Sequence, residues 1–294
     1  MRIIITGAHG QLGTECSTVL SKFHEVMPYG SAELDITNLS QVKTTIRQTL
    51  PDILINCAAY TDVDGSETNK ETAWNVNVGG PRNLARSTED YGTTLVHISS
   101  DYIFDGATTP PQQYREDDPP RPLSYYGKTK FEGEEAIRAL TDRHIIIRTS
   151  WLYGIVGRNF LNTILRAALN KPGETIRVVN DQYGSPTWSY RLALQIAQLI
   201  ELQAAGTYHA SSEGYCTWYQ LAWLFLELLE VPHAIVPCET KDFPRPAVRP
   251  KNSVLENNRL TREGINVMVP WEDDLERYVG TFRETLIAKA RAPQ

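Results

Sequence analysis

MRIIITGAHGQLG, residues 1–13, runs from an apolar β-branched stretch through a glycine-punctuated turn into a helical pattern. Ile3, Ile4 and Ile5 form a short apolar run bounded by Arg2 and Thr6-Gly7, as expected of a strand buried on both faces. Gly7, Gly10 and Gly13 follow at every third position, and Leu12 to Lys22 has the spacing and length of a helix. Glycines at that junction let the backbone turn sharply and approach a phosphate, while the start of the helix offers free N–H groups and the positive end of its dipole. Three glycines also make an ordinary strand-to-helix turn. The strand–turn–helix context is what points to a dinucleotide pyrophosphate.

Outward from this stretch the same alternation repeats. His24 to Pro28, Ile53 to Cys57, Thr94 to Ile98 and His144 to Arg148 have the composition of buried strands, and Leu39 to Leu50, Glu71 to Tyr91 and Tyr126 to Leu140 have helical spacing between them. Right-handed crossovers of this kind give an α/β fold, a Rossmann-type doubly wound parallel sheet. After about Thr149 tryptophans and prolines accumulate, Asp242 to Lys251 (DFPRPAVRPK) carries three prolines and is expected to be irregular, and Glu272 to Ala290 closes the chain with an amphipathic helix. The expected division is an NAD(P)-binding domain over 1–150 plus about 178–210, and a smaller C-terminal substrate-binding domain over about 151–177 and 211–294. Ligands of open α/β sheets bind beyond the carboxyl ends of the strands, so the second domain should cap that edge.

With 294 residues, 41% of them hydrophobic, the chain can bury a full core without staples. A net charge of -6 argues against a nucleic-acid or anionic-membrane surface. Cys16, Cys57, Cys216 and Cys238 have neither CxxC nor metal-ligand spacing and are expected as free thiols in a reducing compartment. Three apolar residues after Met1-Arg2 are too few for a secretory leader, and the apolar stretch Leu221 to Val231 is too short to span a bilayer and carries Glu227 and Glu230. The expectation is a soluble cytoplasmic protein.

Tyr126 and Lys130 are four apart in a helical pattern and so share a face. Reduction of a ketone needs a proton donor for the oxygen that becomes an alkoxide, and a phenol beside an ammonium can serve near neutrality. Tyr125 has only Thr129 at the same spacing. Ser99-Ser100-Asp101 follows the strand Thr94 to Ile98 at its carboxyl end, where a hydroxyl can hold the substrate carbonyl oxygen. Ser and Asp there also cap turns routinely, and Tyr–Lys pairs are common on helix surfaces. The glycine loop, Ser100 and the Tyr126–Lys130 pair in this chain order favour catalysis. Past the second strand, Tyr29-Gly30-Ser31 offers neither an acid for a ribose hydroxyl nor an arginine for a 2′-phosphate, which tilts the cofactor towards NADPH, with NADH the alternative.

GAHGQLG (7–13), LDITN (34–38), NCAAYTDVD (56–64), SSDYIFDG (99–106), YYGKTKFEGE (125–134), RTSWLYG (148–154), DQYGSPT (181–187) and RPKNSVL (249–255) together resemble the extended short-chain dehydrogenase/reductases, and within them the dTDP-4-dehydrorhamnose reductase family. The resemblance implies reduction of the C4 keto group of dTDP-4-dehydro-L-rhamnose. It places Gly10, Gln11 and Leu12 at the cofactor pyrophosphate, Asp35 and Ile36 at the adenine, and Ala58, Ala59, Tyr60 and Ser99 along the inner cofactor. Ser100 and Asp101 would meet the sugar, Tyr126 would donate the proton, and Lys130 would hold the nicotinamide ribose and lower the Tyr126 pKa. Trp151 would pack against the sugar, with Gln182 and Arg249 towards the nucleotide diphosphate.

This chain departs from the family at two points. Ser100 stands where the family usually has threonine, and keeps the hydroxyl. Some members bind Mg²⁺ at a dimer contact through glutamates; Glu15 matches one, but Tyr190 stands at a second, so no metal site and a monomer or weak homodimer are expected. Three rivals stand beside this expectation: a reductase of another nucleotide-linked 4-keto sugar, a non-catalytic regulator resembling the methionine adenosyltransferase beta subunit, and a 4,6-dehydratase. Ser100, Tyr126, Lys130 and Trp151 argue against the regulator, and Asp101 without an adjacent Glu argues against the dehydratase.

Overall fold

In the computed structural model, which describes residues 1–170 and 173–292, six parallel strands form one sheet in the order Gly206–His209, His144–Thr149, Thr94–Ser100, Ile53–Asn56, Arg2–Thr6, Glu25–Tyr29. The chain runs outward from Arg2–Thr6 to one edge, returns to its other side at Ile53–Asn56, and then builds towards the opposite edge. Arg2–Thr6 and Ile53–Asn56 therefore flank a topological switch point, where the loops part and leave a crevice.

Each face of the sheet is covered. Ile3, Ile5, Ile55, Val96 and Ile147 pack against helices Gln11–Leu20 and Ser189–Glu201. On the other face Ile4, Leu54, Leu95 and Ile146 meet Leu39–Thr49, Gly80–Glu89 and Tyr125–Arg138. Strands apolar on both sides follow from this double cover.

The helix expected over Glu71 to Tyr91 is interrupted. It runs as Lys70–Trp74, a π-helical turn Asn75–Gly79, and Gly80–Glu89. The π turn lies against Tyr125–Arg138 where Gly133 leaves room: a methyl there would sit 2.3 Å from the Asn77 carbonyl oxygen. Such turns commonly mark functional positions. The strand Gly206–His209 completes the sheet edge beside His144–Thr149.

A second buried cluster gathers helices Phe160–Asn170, Trp218–Leu228 and Trp271–Arg291 round Leu165, Phe225, Leu275 and Tyr278. Val178, on a strand Thr175–Val179 paired with Ala234–Cys238, lies in this cluster, whereas Leu192 to Ala210 lies in the first, on the Gln11–Leu20 face of the sheet. Leu260 and Met268 return to the first cluster. Beyond a short 3-10 turn at Thr240–Asp242, the proline-rich segment to Lys251 has no regular structure. None of the described helices is long and apolar enough to cross a membrane.

Candidate active site

A cleft of about 860 Å³ opens at the switch point. One wall is the glycine turn. Gly7 has φ +65°, and a Cβ on it would lie 2.6 Å from the Ala58 nitrogen; one on Gly13 would lie 2.3 Å from the Gly7 carbonyl oxygen. Neither position has space for a side chain. Gly10 is the N-cap of Gln11–Leu20 and no side chain caps that helix, so its first N–H groups face the cleft for a ligand to satisfy. Beneath the turn, buried Asn56 accepts from the Thr6 hydroxyl (2.7 Å) and the Ala58 N–H (3.1 Å), and its amide meets His97 Nδ1 (3.0 Å). The residues thus fit a dinucleotide pyrophosphate.

The cleft is lined by Gly7, Gly10, Gln11, Leu12 and Gly13, by Asp35 and Ile36, and by Ala58, Ala59 and Tyr60. Gln11 also ties the turn to the segment after Tyr153, accepting from Asn159 Nδ2 at 3.0 Å. The Asp35 carboxylate accepts from the N–H and hydroxyl of Thr37 (2.9 and 2.8 Å), and Asn83 Nδ2 bonds the carbonyls of Ile36 and Thr37, fixing this loop. The Glu33 carboxylate folds back to accept from the Gly30 N–H, with His9 Nε2 3.9 Å away. The strand end therefore carries an acid in space that the linear order of residues did not place there.

Ser99, Ser100, Asp101, Tyr126 and Lys130 line the inner end of the same cleft. Ser100 ends its strand; its hydroxyl donates to Asp101 Oδ1 (2.9 Å) and accepts from the Tyr102 N–H (3.2 Å). Ser124 caps the helix of Tyr126 and Lys130 by accepting from the Gly127 N–H. Burial pushes the Tyr126 phenol up to about 12, against a lowering by the Ser100 hydroxyl. The net shift is upward, contrary to the expected lowering by Lys130, whose ammonium donates to the Ile98 carbonyl at 2.7 Å. Burial brings Lys130 down to about 8.

Burial also raises the Asp101 carboxyl, to about 6. An acid raised above its unfolded value of about 3.9 binds more protons folded than unfolded, so its favourable contribution is complete below pH 4 and lost as pH rises through 6. Asp101→Asn cannot ionise and is expected to be more stable than wild type at pH 7.5 by up to about 3 kcal/mol, with the difference closing towards pH 4. Thermal melts across that range measure it; a difference independent of pH would exclude a buried Asp101 charge.

Trp151 also lines the cleft, in the left-handed region at φ 46°, and stacks on Trp218 with ring centroids 3.4 Å apart. Gly184 packs closely against the indole of Trp151. The two remaining expected substrate residues do not line the cleft. Gln182 is buried behind the stack, accepting from Trp218 Nε1 (3.2 Å) and donating to the Thr240 hydroxyl (3.0 Å). Arg249 presents its fork to Asp64, at 3.0 and 2.8 Å, so its bidentate capacity is already satisfied. Two residues outside the sequence expectations shape the site. Trp218 contributes an indole to the lining, and Asn77, in the π turn, brackets Tyr60 by accepting from its N–H (2.9 Å) and donating to its carbonyl (3.1 Å). No local pattern marked either. No group of three or more His, Cys, Asp or Glu among the described residues is arranged to hold a metal ion.

Residues 1–284 match the family model described as the RmlD substrate binding domain. The chain belongs to that family. Among RmlD relatives, a dTDP-4-dehydrorhamnose reductase of Streptomyces griseus is 39% identical over 92% of this chain and 90% of its own length. A dTDP-4-keto-6-deoxy-D-glucose reductase of Streptomyces niveus is 37% identical over 92% and 93%. The structure of a dTDP-4-dehydrorhamnose reductase from Bacillus anthracis in complex with NADP superposes with a TM-score of 0.92 at 39% identity, covering 95% of this chain and 99% of that one. An RmlD-family fold therefore accounts for nearly the whole chain.

Proposed function

We propose that the chain is an NADPH-dependent reductase that converts dTDP-4-dehydro-L-rhamnose to dTDP-L-rhamnose. The observation that carries this reading is the convergence of Ser100, Tyr126 and Lys130 in the cleft whose other end is the glycine turn, in a chain of the RmlD family. The NADP bound by the Bacillus anthracis relative supports NADPH as the cofactor.

When bound, the reduced nicotinamide supplies a hydride to C4 of the sugar. Gly10, Gln11 and Leu12 hold the pyrophosphate at the helix start, and Ala58, Ala59 and Tyr60 line the inner ribose. The Ser100 hydroxyl orients the keto oxygen, and Tyr126 Oη donates its proton to that oxygen as it becomes an alkoxide. Lys130 holds the nicotinamide ribose. Trp151 and Trp218 provide an apolar wall opposite the polar groups, suited to the carbon-bound face of a deoxy sugar.

The Streptomyces niveus relative favours a second reading, reduction of dTDP-4-keto-6-deoxy-D-glucose at the same site. Loss of reduced-nicotinamide absorbance with each keto sugar, measured with NADPH and NADH separately, decides between them. Higher kcat/KM for dTDP-4-dehydro-L-rhamnose with NADPH is expected. No oxidation with either sugar by a folded, NADPH-binding protein would sink the enzymatic assignment.

A further inference from the structure

We propose that Glu134 is a positioning residue for this reduction: its buried carboxylate, held by Arg148 and Arg138, keeps the Lys130 side chain charged and in place. This role rests on the reading of Tyr126 and Lys130 as the reductase pair. Tyr126, Lys130 and Glu134 recur at four-residue spacing on helix Tyr125–Arg138 and so lie along one face of it, turned towards the sheet. Glu134 is 0% exposed. Its carboxylate accepts from Arg148 Nε (3.1 Å) and Nη2 (2.9 Å) and from Arg138 Nη2 (2.7 Å). Arg148, itself buried, also donates to the Glu116 carbonyl and lies 3.4 Å from His209 Nε2.

Buried ion pairs of this kind are poor stabilisers, because desolvation offsets the attraction and well-packed apolar residues often do as well. A purely structural role therefore explains the arrangement badly. The surroundings of Lys130 supply a better reason. Its ammonium is buried, the Ile98 carbonyl to which it donates is neutral, and burial opposes its charge. Facing it from the other elements are the Cys57 thiol, after strand Ile53–Asn56, and His97 on Thr94–Ser100, which burial and the cations hold neutral. Arg148 comes from His144–Thr149, and neutral His209 from Gly206–His209 lies behind it. Arg138 is on the helix itself, and Asp101 faces Tyr126. The Glu134 carboxylate binds Arg138 and Arg148, Arg138 also pairs with the exposed Glu135, and Lys130 lies one turn back on the same helix face, where among these residues Glu134 is the buried carboxylate that offsets the three cations. Without it they would repel one another, and Lys130 is the one that can shed its proton.

The test is the pH dependence of kcat/KM for NADPH-driven keto-sugar reduction, with folding checked by thermal melts. Wild type is expected to lose activity above about pH 8 as Lys130 deprotonates. Glu134→Gln should move that limb down by at least one pH unit, costing at least threefold at pH 7.5 and less than threefold at pH 6, and Glu134→Asp should recover part of the shift. Arg148→Gln, which removes a cation and leaves Glu134 paired with Arg138, should move the limb up, and it reads the same interaction if Glu134→Gln does not fold. A general packing defect does not shift one limb in opposite directions. If both variants retain the wild-type profile, whatever their absolute rates, the inference is overturned while the reductase reading stands. A wild type inactive with every 4-keto sugar overturns both.

Discussion

Tyr126→Phe is expected to lower kcat by about 10²–10⁴-fold, the usual worth of a positioned general acid, while leaving NADPH affinity within threefold. The phenol is buried beside the Ser100 hydroxyl, and burial holds it protonated at neutral pH, as the proposed proton donor must be. The developing alkoxide is far more basic than the phenolate left behind, so a high phenol pKa does not obstruct the transfer. Phenylalanine keeps the ring, and with it the edge-on packing against Tyr102 at 5.6 Å, so the fold of the site should persist. Single-turnover kinetics with NADPH, alongside cofactor titration by fluorescence, separates chemistry from binding. A loss smaller than tenfold would move the proton donor elsewhere in the cleft, with Asp101, whose carboxyl is raised to about 6, the first replacement to examine.

The second large effect is expected at Gly13. A methyl group there would stand 2.3 Å from the Gly7 carbonyl oxygen and 2.6 Å from the Ala8 Cα, and both obstacles are backbone. Backbone at this turn cannot retreat, because Gly7 itself abuts Ala58 and the Ala8 N–H is bonded to the Tyr29 carbonyl at 3.1 Å. Gly13→Ala should therefore destabilise the fold by about 1–3 kcal/mol, as overpacking does, and weaken NADPH binding at least tenfold by displacing the N–H groups that face the pyrophosphate. Gly280 provides the contrast. It lies within helix Trp271–Arg291, and a methyl added to it would have nothing within 4 Å, so Gly280→Ala should stabilise by about 0.5–1 kcal/mol. Denaturant titrations of the two variants, with NADPH binding measured beside them, check both signs. Equal behaviour of the two would mean that the tight turn is not what the cofactor grips.

Much of this architecture was legible because it is written locally. Ile3 to Ile5 and Ile53 to Ile55 are apolar on both faces, and glycines or polar residues mark where each strand stops, so the alternating strands and helices could be placed within a few residues. The residues of the glycine turn, Ser100, Tyr126, Lys130 and Trp151 converge because they sit at carboxyl ends of neighbouring strands or on the helix after one, which topology alone brings together. What resisted was non-local. The strand Gly206–His209 is four residues with a glycine and a histidine, and only its pairing with Ile145 to Arg148 makes it a strand. The π turn depends on Gly133, more than fifty residues away, leaving space for Asn77. Arg249 has the chemistry of a phosphate ligand, yet its partner is decided by Asp64 across a sequence separation of 185. Trp218 enters the site from a helix whose pattern is simply apolar.

The buried cluster on the Gln11–Leu20 face of the sheet and the C-terminal cluster are threaded by a chain that alternates between them. Members of the first fall between Ile3 and Ile147, Leu192 and Ala210, and Leu260 and Met268, and members of the second between Tyr153 and Trp188, Cys216 and Ile235, and Trp271 and Ala290. Six alternating segments have five junctions, so no single cut separates these two clusters. A recombination event that grafted a foreign C-terminal core onto this sheet would have to splice in several places at once. Relatives built on such a scaffold should therefore remain alignable from end to end, as the Streptomyces griseus and Streptomyces niveus reductases are.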